Sequence, residues 1–249
     1  MKSFHEGSRR RWLLASAAAS LLLAGGCDRQ PAGAPSGNGS ASGPVMQTAA
    51  PANPRSAILH ASAEPFEGLT EQAFTAPWPQ IDGLIAEGRT AAANARRVLP
   101  GARAAALDRQ IATIAAARQA GDRPGLALAS VETFRQLVEG QDAAAAQVPI
   151  PVSLLDYAGF RYDALAQAPK IDWAAMEQAA RFAGRQWQAI APMVTSKALP
   201  GVMTTSLGAM SLAAKRHDTA FARSAAATEL ALVDLIEEQV ASQQAAPTR

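Results

Sequence analysis

Met203, Met210 and His217 recur at seven-residue intervals, with Asp218 directly after them and Met193 shortly before. Two thioethers and an imidazole make a soft ligand set that suits copper(I). On a continuous helix, however, positions seven apart lie about 10.5 Å apart along the axis, too far to share one ion. A shared site would need a break at His217-Asp218 or ligands from a second helix. Without either, the spacing describes methionines filling a core. No metal is assigned, and copper stays an open alternative.

Glu229 is the next residue of interest. It belongs to a stripe of Ala222, Ala226, Glu229, Val233, Ile236 and Val240. The favoured position is the edge of that stripe, because glutamates seldom bury. If buried, Glu229 needs a cationic partner such as Arg185 or a bound cation, and becomes the leading functional group of the core. Asp156, Tyr157 and Tyr162 follow Pro149 and Pro151. They are positioned to line a ligand cleft, although capping and packing of a short helix is the preferred reading.

Other chemistries lack their residues. The chain has no phosphate-cradling glycine loop with its lysine, no Gly-x-Ser-x-Gly, no His-Glu-x-x-His and no calcium loop. Of the three histidines, His5 and His60 lie near the amino-terminal end, which leaves His217. No positioned acid–base or nucleophile set emerges, so the expectation is a protein that is not an enzyme.

The elements that must position these residues read as helices. From about Leu69 the chain is rich in Ala, Leu, Arg and Gln, with few aromatics and no β-branched alternation. Six main helices are predicted, at about 82–98, 102–120, 124–140, 173–196, 201–216 and 219–242. A further short helix begins near Thr70. Apolar residues at alternating spacings of three and four form stripes that bury one face of each helix. Examples are Trp173, Met176, Ala180, Ala183, Trp187 and Ile190, and also Leu126, Ser130, Thr133 and Leu137.

Landmarks recur in order. Leu99-Pro100-Gly101 is matched by Leu199-Pro200-Gly201, and Pro79-Gln80-Ile81-Asp82 by Pro169-Lys170-Ile171-Asp172. Asp82 and Asp172 read as N-caps, and Asp122 and Asp218 open the third helix of each group. These matches suggest a duplicated three-helix unit, with repeats at 79–141 and 169–239. The spacing is unequal: Asp82 to Pro100 is 18 residues, Asp172 to Pro200 is 28. An Ala/Pro-rich connection joins the groups. It carries a short extra helix opened by Ser153-Leu154-Leu155-Asp156 as a capping box.

The amino-terminal end has a different character. Arg9, Arg10 and Arg11 precede an apolar run from Trp12 to Ala24, then Gly25, Gly26 and Cys27, the one cysteine of the chain. Charge, a short apolar segment and small residues form the plan of a secretory signal peptide. Leu23-Ala24-Gly25-Gly26-Cys27 resembles the lipobox of a bacterial lipoprotein precursor, with Ala24 where leucine is more usual. The resemblance covers the leader and Cys27 only. It implies cleavage before Cys27, a diacylglycerol and acyl (palmitate-type) anchor on that residue, and contact with a lipid bilayer. It also implies a periplasm-facing place in the cell envelope. Asp28 resembles a retention signal that favours the inner over the outer membrane. Ser8-Arg9-Arg10-Arg11-Trp12-Leu13-Leu14 is similar to a twin-arginine export motif, with ordinary secretion the alternative.

Cleavage would change the electrostatics. Four of the 23 basic and one of the 21 acidic residues fall within 1–26, leaving 19 and 20. The isoelectric point near 9.0 therefore belongs largely to the leader. No basic face for nucleic acid is expected. With Cys27 acylated no thiol remains, which excludes disulfides and thiolate metal sites.

The expected organisation is a signal peptide at 1–26, lipidated Cys27 with a linker to residue 59, and an all-α helical bundle at 60–249. Residues 28–59 are rich in Pro, Gly, Ser and Ala. About 30 such residues span roughly 30 Å. The expected function is a non-catalytic binding module of the envelope, accessory to a membrane or envelope protein complex. The alternative is a metal- or cofactor-binding periplasmic bundle.

Overall fold

The computed structural model describes residues 53–245; the leader, Cys27, Asp28 and the linker to residue 52 lie outside them. Among the described residues the protein is all-α, with eight helices and no strand. They are α1 (Pro54–Gln72), α2 (Trp78–Arg96), α3 (Gly101–Ala120), α4 (Arg123–Val138), α5 (Ile150–Ala166), α6 (Trp173–Ile190), α7 (Leu199–Arg216) and α8 (Thr219–Ala245). One turn of 3-10 helix, Ala191–Met193, follows α6. No described helix is long and apolar enough to cross a membrane.

The helices close into two rings of four. Helix α1 packs on α2 and α4, and α3 packs on both of these. In the second ring α5 packs on α6 and α8, and α7 packs on both. The face between α4 and α5 joins the rings. The unit of packing is thus a four-helix ring rather than the expected three-helix group. Both Leu-Pro-Gly segments sit at the turn into the third helix of a ring, where Pro100 caps α3 and Pro200 lies in the first turn of α7.

The two additional helices are α1 and α5. Residues 54–59, expected to be linker, belong to α1. Asn53 starts it by accepting from the Arg55 amide at 3.1 Å, and Pro54 stands in the first turn, where no amide is needed. The buried face is Ser56, Leu59, Ala63, Phe66 and Thr70, a three–four stripe diluted by hydroxyls. Pro65 lies inside this helix. It removes one intrahelical bond, a local cost that the buried Leu59, Phe66 and Leu69 outweigh.

Helix α5 spans 17 residues rather than a short turn. Pro149 caps it and Pro151 occupies the first turn, so these prolines start the helix. Ser153 and Asp156 consequently stand inside the helix and form no capping box. Twelve α5 residues are buried, from Val152 to Ala166, because α4, α6 and α8 cover it.

The caps divide similarly. Asp122, Asp172 and Asp218 accept from the amides of Gly125, Ala175 and Phe221 at 2.9, 2.9 and 3.0 Å. Asp82 caps nothing, since α2 has already begun at Trp78. Its carboxylate instead takes a two-pronged contact from Arg118 on α3, at 2.6 and 2.9 Å. That guanidinium holds the Asp82 carboxyl below its ordinary value. Arg118 and Arg123 also flank the Trp78 ring, each 4.4 Å from its centroid.

Candidate binding site at the junction of the two rings

The methionine–histidine series separates. Met203 and Met210 are fully buried in the second ring, where thioethers fill core space. His217 is exposed and ends α7 in the left-handed conformation, φ 54°. Its amide reaches the Ala214 carbonyl, while the Asp218 amide reaches Ala213 at 3.1 Å. Gly121, φ 67°, closes α3 by the same pattern, with the Asp122 amide on Ala117 at 2.9 Å. His217 therefore performs the stop that glycine performs in the first ring. Its imidazole stacks on Trp173, 4.9 Å between centroids. Among the described residues, no three His, Cys, Asp or Glu side chains are grouped to hold a metal ion.

Glu229 is not at a stripe edge. It is 0% exposed, in the middle of the buried face of α8. Among the described residues neither carboxyl oxygen has a hydrogen-bond partner, and Oε2 lies against Gly159 of α5. Arg185 does not serve it: that side chain is exposed on α6, its guanidinium 5.5 Å from the Phe182 ring. Burial alone raises the Glu229 pKa well above its ordinary value, because it disfavours the charged form. The glycine makes the close approach feasible. A methyl at 159 would stand 2.7 and 2.9 Å from the Leu230 side chain as well.

Asp156 is also buried. Burial raises its pKa, and Glu67 of α1 with Glu237, Glu229 and Asp234 of α8 raise it further. Glu237 is pushed up to about 7 by burial and Asp234. Of these acids Asp156 and Glu229 are buried, Glu67 and Glu237 are half-buried, and Asp234 is exposed. Tyr162 belongs to the core, its hydroxyl donating to the Met210 carbonyl at 2.7 Å. Burial pushes its phenol up to about 12.

Tyr157, one residue after Asp156, faces a different environment. Its hydroxyl donates to Glu132 of α4 at 2.8 Å. Burial, then Glu132, pushes this phenol up to about 12. Arg135 Nε donates to the other Glu132 oxygen at 3.0 Å, and Arg161 of α5 pairs with the first. Burial lowers the Arg135 pKa, but Glu132, Tyr157 and Glu139 overcome this and the net shift is upward. Glu132 thus ties α4 to α5 across the ring junction.

Around this post lies an open cleft of about 510 Å³. Helix α4 contributes Glu132 and Arg135, and α5 contributes Tyr157 and Arg161. Helix α6 contributes Gln178, Ala179, Arg181, Phe182 and Arg185. Tyr157 and Phe182 meet edge to face, 5.4 Å between centroids, and form the apolar part of the lining. Four guanidiniums and one carboxylate make the wall electropositive.

Of the ligand-cleft candidates named from the sequence, only Tyr157 reaches this cleft; Arg185, named as a partner for Glu229, lines it instead. Asp156 and Tyr162 turn elsewhere from the same helix. The four arginines were not legible as a group, since they come from three helices with no local motif. The i, i+4 pair Arg181 and Arg185 was the one local hint. The chain matches no protein-family model, no curated protein and no solved structure.

Proposed function

We propose that this chain is a lipid-anchored protein of the bacterial envelope, a non-catalytic helical binding module accessory to a membrane or envelope complex. The α4–α5–α6 cleft is its binding site. The cleft supports the reading because four cationic side chains from three helices converge on one open space. The anchor rests on Cys27 and the lipobox resemblance before it. Held near one membrane face by its linker, the domain would meet membrane-bound partners at raised effective concentration.

Proximity labelling from the full lipidated chain tests this reading. An envelope component should be recovered, and recovery should fall when Cys27→Ser frees the chain from the bilayer. Equal recovery from the untethered form overturns the role of the anchor. Recovery that is insensitive to loss of charge in the cleft overturns the assignment of the site.

A further inference from the structure

Resting on the reading of the cleft as the binding site, we propose that its ligand is a phosphate-bearing anion, specifically a phosphate monoester group. Arg181 and Arg185 form the receiving set, with Arg161 held beside them by Glu132. The argument begins with the fixed charges. Glu132 already accepts from Tyr157, Arg135 and Arg161, so its oxygens serve as a post that orients guanidiniums. Glu139 is a second partner of Arg135, at 3.4 Å, so Arg181 and Arg185 are the lining cations that Glu132 and Glu139 do not hold.

The remaining partners of those cations are weak. Arg181 pairs with Glu177 one turn earlier on the same exposed surface, at 2.9 Å. Such an exposed pair exchanges readily with a ligand. Arg185 forms no ion pair among the described residues; its Nη1 reaches only the Arg181 carbonyl, at 3.4 Å. Several N–H donors of each guanidinium therefore stay available to the cleft.

A guanidinium presents parallel N–H groups that match the oxygens of a carboxylate or a phosphate. The number of donors favours phosphate, because the guanidiniums facing the cleft present more N–H groups than two oxygens can accept. A carboxylate offers two oxygens. A phosphate monoester carries a charge of roughly −1.5 to −2 near neutral pH, with three strong acceptor oxygens. The cleft is also larger than a phosphate group, so an organic body can lie along Tyr157 and Phe182. The same chemistry occurs in soluble phosphate esters and in phosphomonoester lipid headgroups.

The test uses the detergent-solubilised full chain in titration calorimetry with glycerol 3-phosphate, inorganic phosphate and acetate. A parallel arm measures flotation with phosphatidylcholine vesicles with and without phosphatidic acid. Saturable binding of glycerol 3-phosphate or of the phosphatidic acid vesicles is expected, with acetate at least tenfold weaker. Whichever arm binds identifies the source. Arg181→Gln and Arg185→Gln should each weaken binding by about tenfold, as expected for loss of a charge-assisted contact. Arg109→Gln, exposed on α3 and away from the cleft, should leave it unchanged.

No saturable binding in either arm overturns the proposal. So does equal binding of acetate, or indifference to both cleft variants. A photocrosslinking amino acid in place of Gln178 separates this result from failure of the functional reading. Capture of an envelope component there without phosphate binding would leave the binding module standing and refute the ligand class.

Discussion

Replacing Glu229 isolates the energetic effect of a buried, unbonded acid. In the folded protein the carboxyl is fully buried, both oxygens lack partners among the described residues, and burial raises the pKa well above its ordinary value of 4.5. The unfolded chain releases that proton once pH passes 4.5. The folded value is raised, so this contribution to stability is complete below 4.5 and is lost as pH rises toward and through the folded value. Within that window one proton separates the two states, and each pH unit removes about 1.4 kcal/mol. Asp156 and Glu237 are raised too, so they tilt the curve in the same sense. Glu229→Gln keeps the shape of the side chain and removes only its titration. Urea unfolding at several pH values from about 5 to about 7 should show a slope shallower by up to about 1.4 kcal/mol per pH unit. Glu229→Leu should show the same change of slope. It should also add about 1–3 kcal/mol at pH 7 from removal of the unsatisfied oxygens. An unchanged slope in both variants would refute the buried protonated state and indicate that Glu229 is ionised by a partner.

Gly159→Ala should destabilise the fold by about 1–2 kcal/mol, seen as a lower melting temperature. Overpacking against Glu229 and Leu230 exceeds the roughly 1 kcal/mol of helix propensity gained. Asp172→Ala should cost about 1 kcal/mol in urea denaturation through loss of the α6 cap. Asp82→Ala should cost less, because α2 starts without it. Tyr162→Phe should cost about 1 kcal/mol by removing the hydroxyl that reaches Met210. Cys27→Ser should shift the chain from the detergent to the aqueous phase in partitioning, while circular dichroism keeps its helical spectrum.

Helices and their ends were legible where the physics is local. Asp122, Asp172 and Asp218 cap helices because a short carboxylate reaches an amide three residues on. The stripe from Met176 to Ile190 buries one face because its spacing follows the helical period. The all-α class follows from such signals. Helix α1 was hidden because Ser56, Ser62 and Thr70 interrupt its apolar face and Pro65 looks like a breaker. Its stability comes from packing on α2 and on the sequence-distant α4 rather than from its own pattern. Likewise Asp82 looks like a cap until Arg118 claims it.

The sequence by itself determined helical periods, most caps and breaks, and the lipobox-like segment ending at Cys27, because each depends on neighbours within a few residues. Tertiary structure alone decided that the rings have four helices. It also decided that Glu229 is buried, because Gly159 on another helix leaves room for its carboxyl. It brought Arg135, Arg161, Arg181 and Arg185 to one cleft, since charges on three helices acquire a common field only when those helices pack. Local spacing carries no record of that distance.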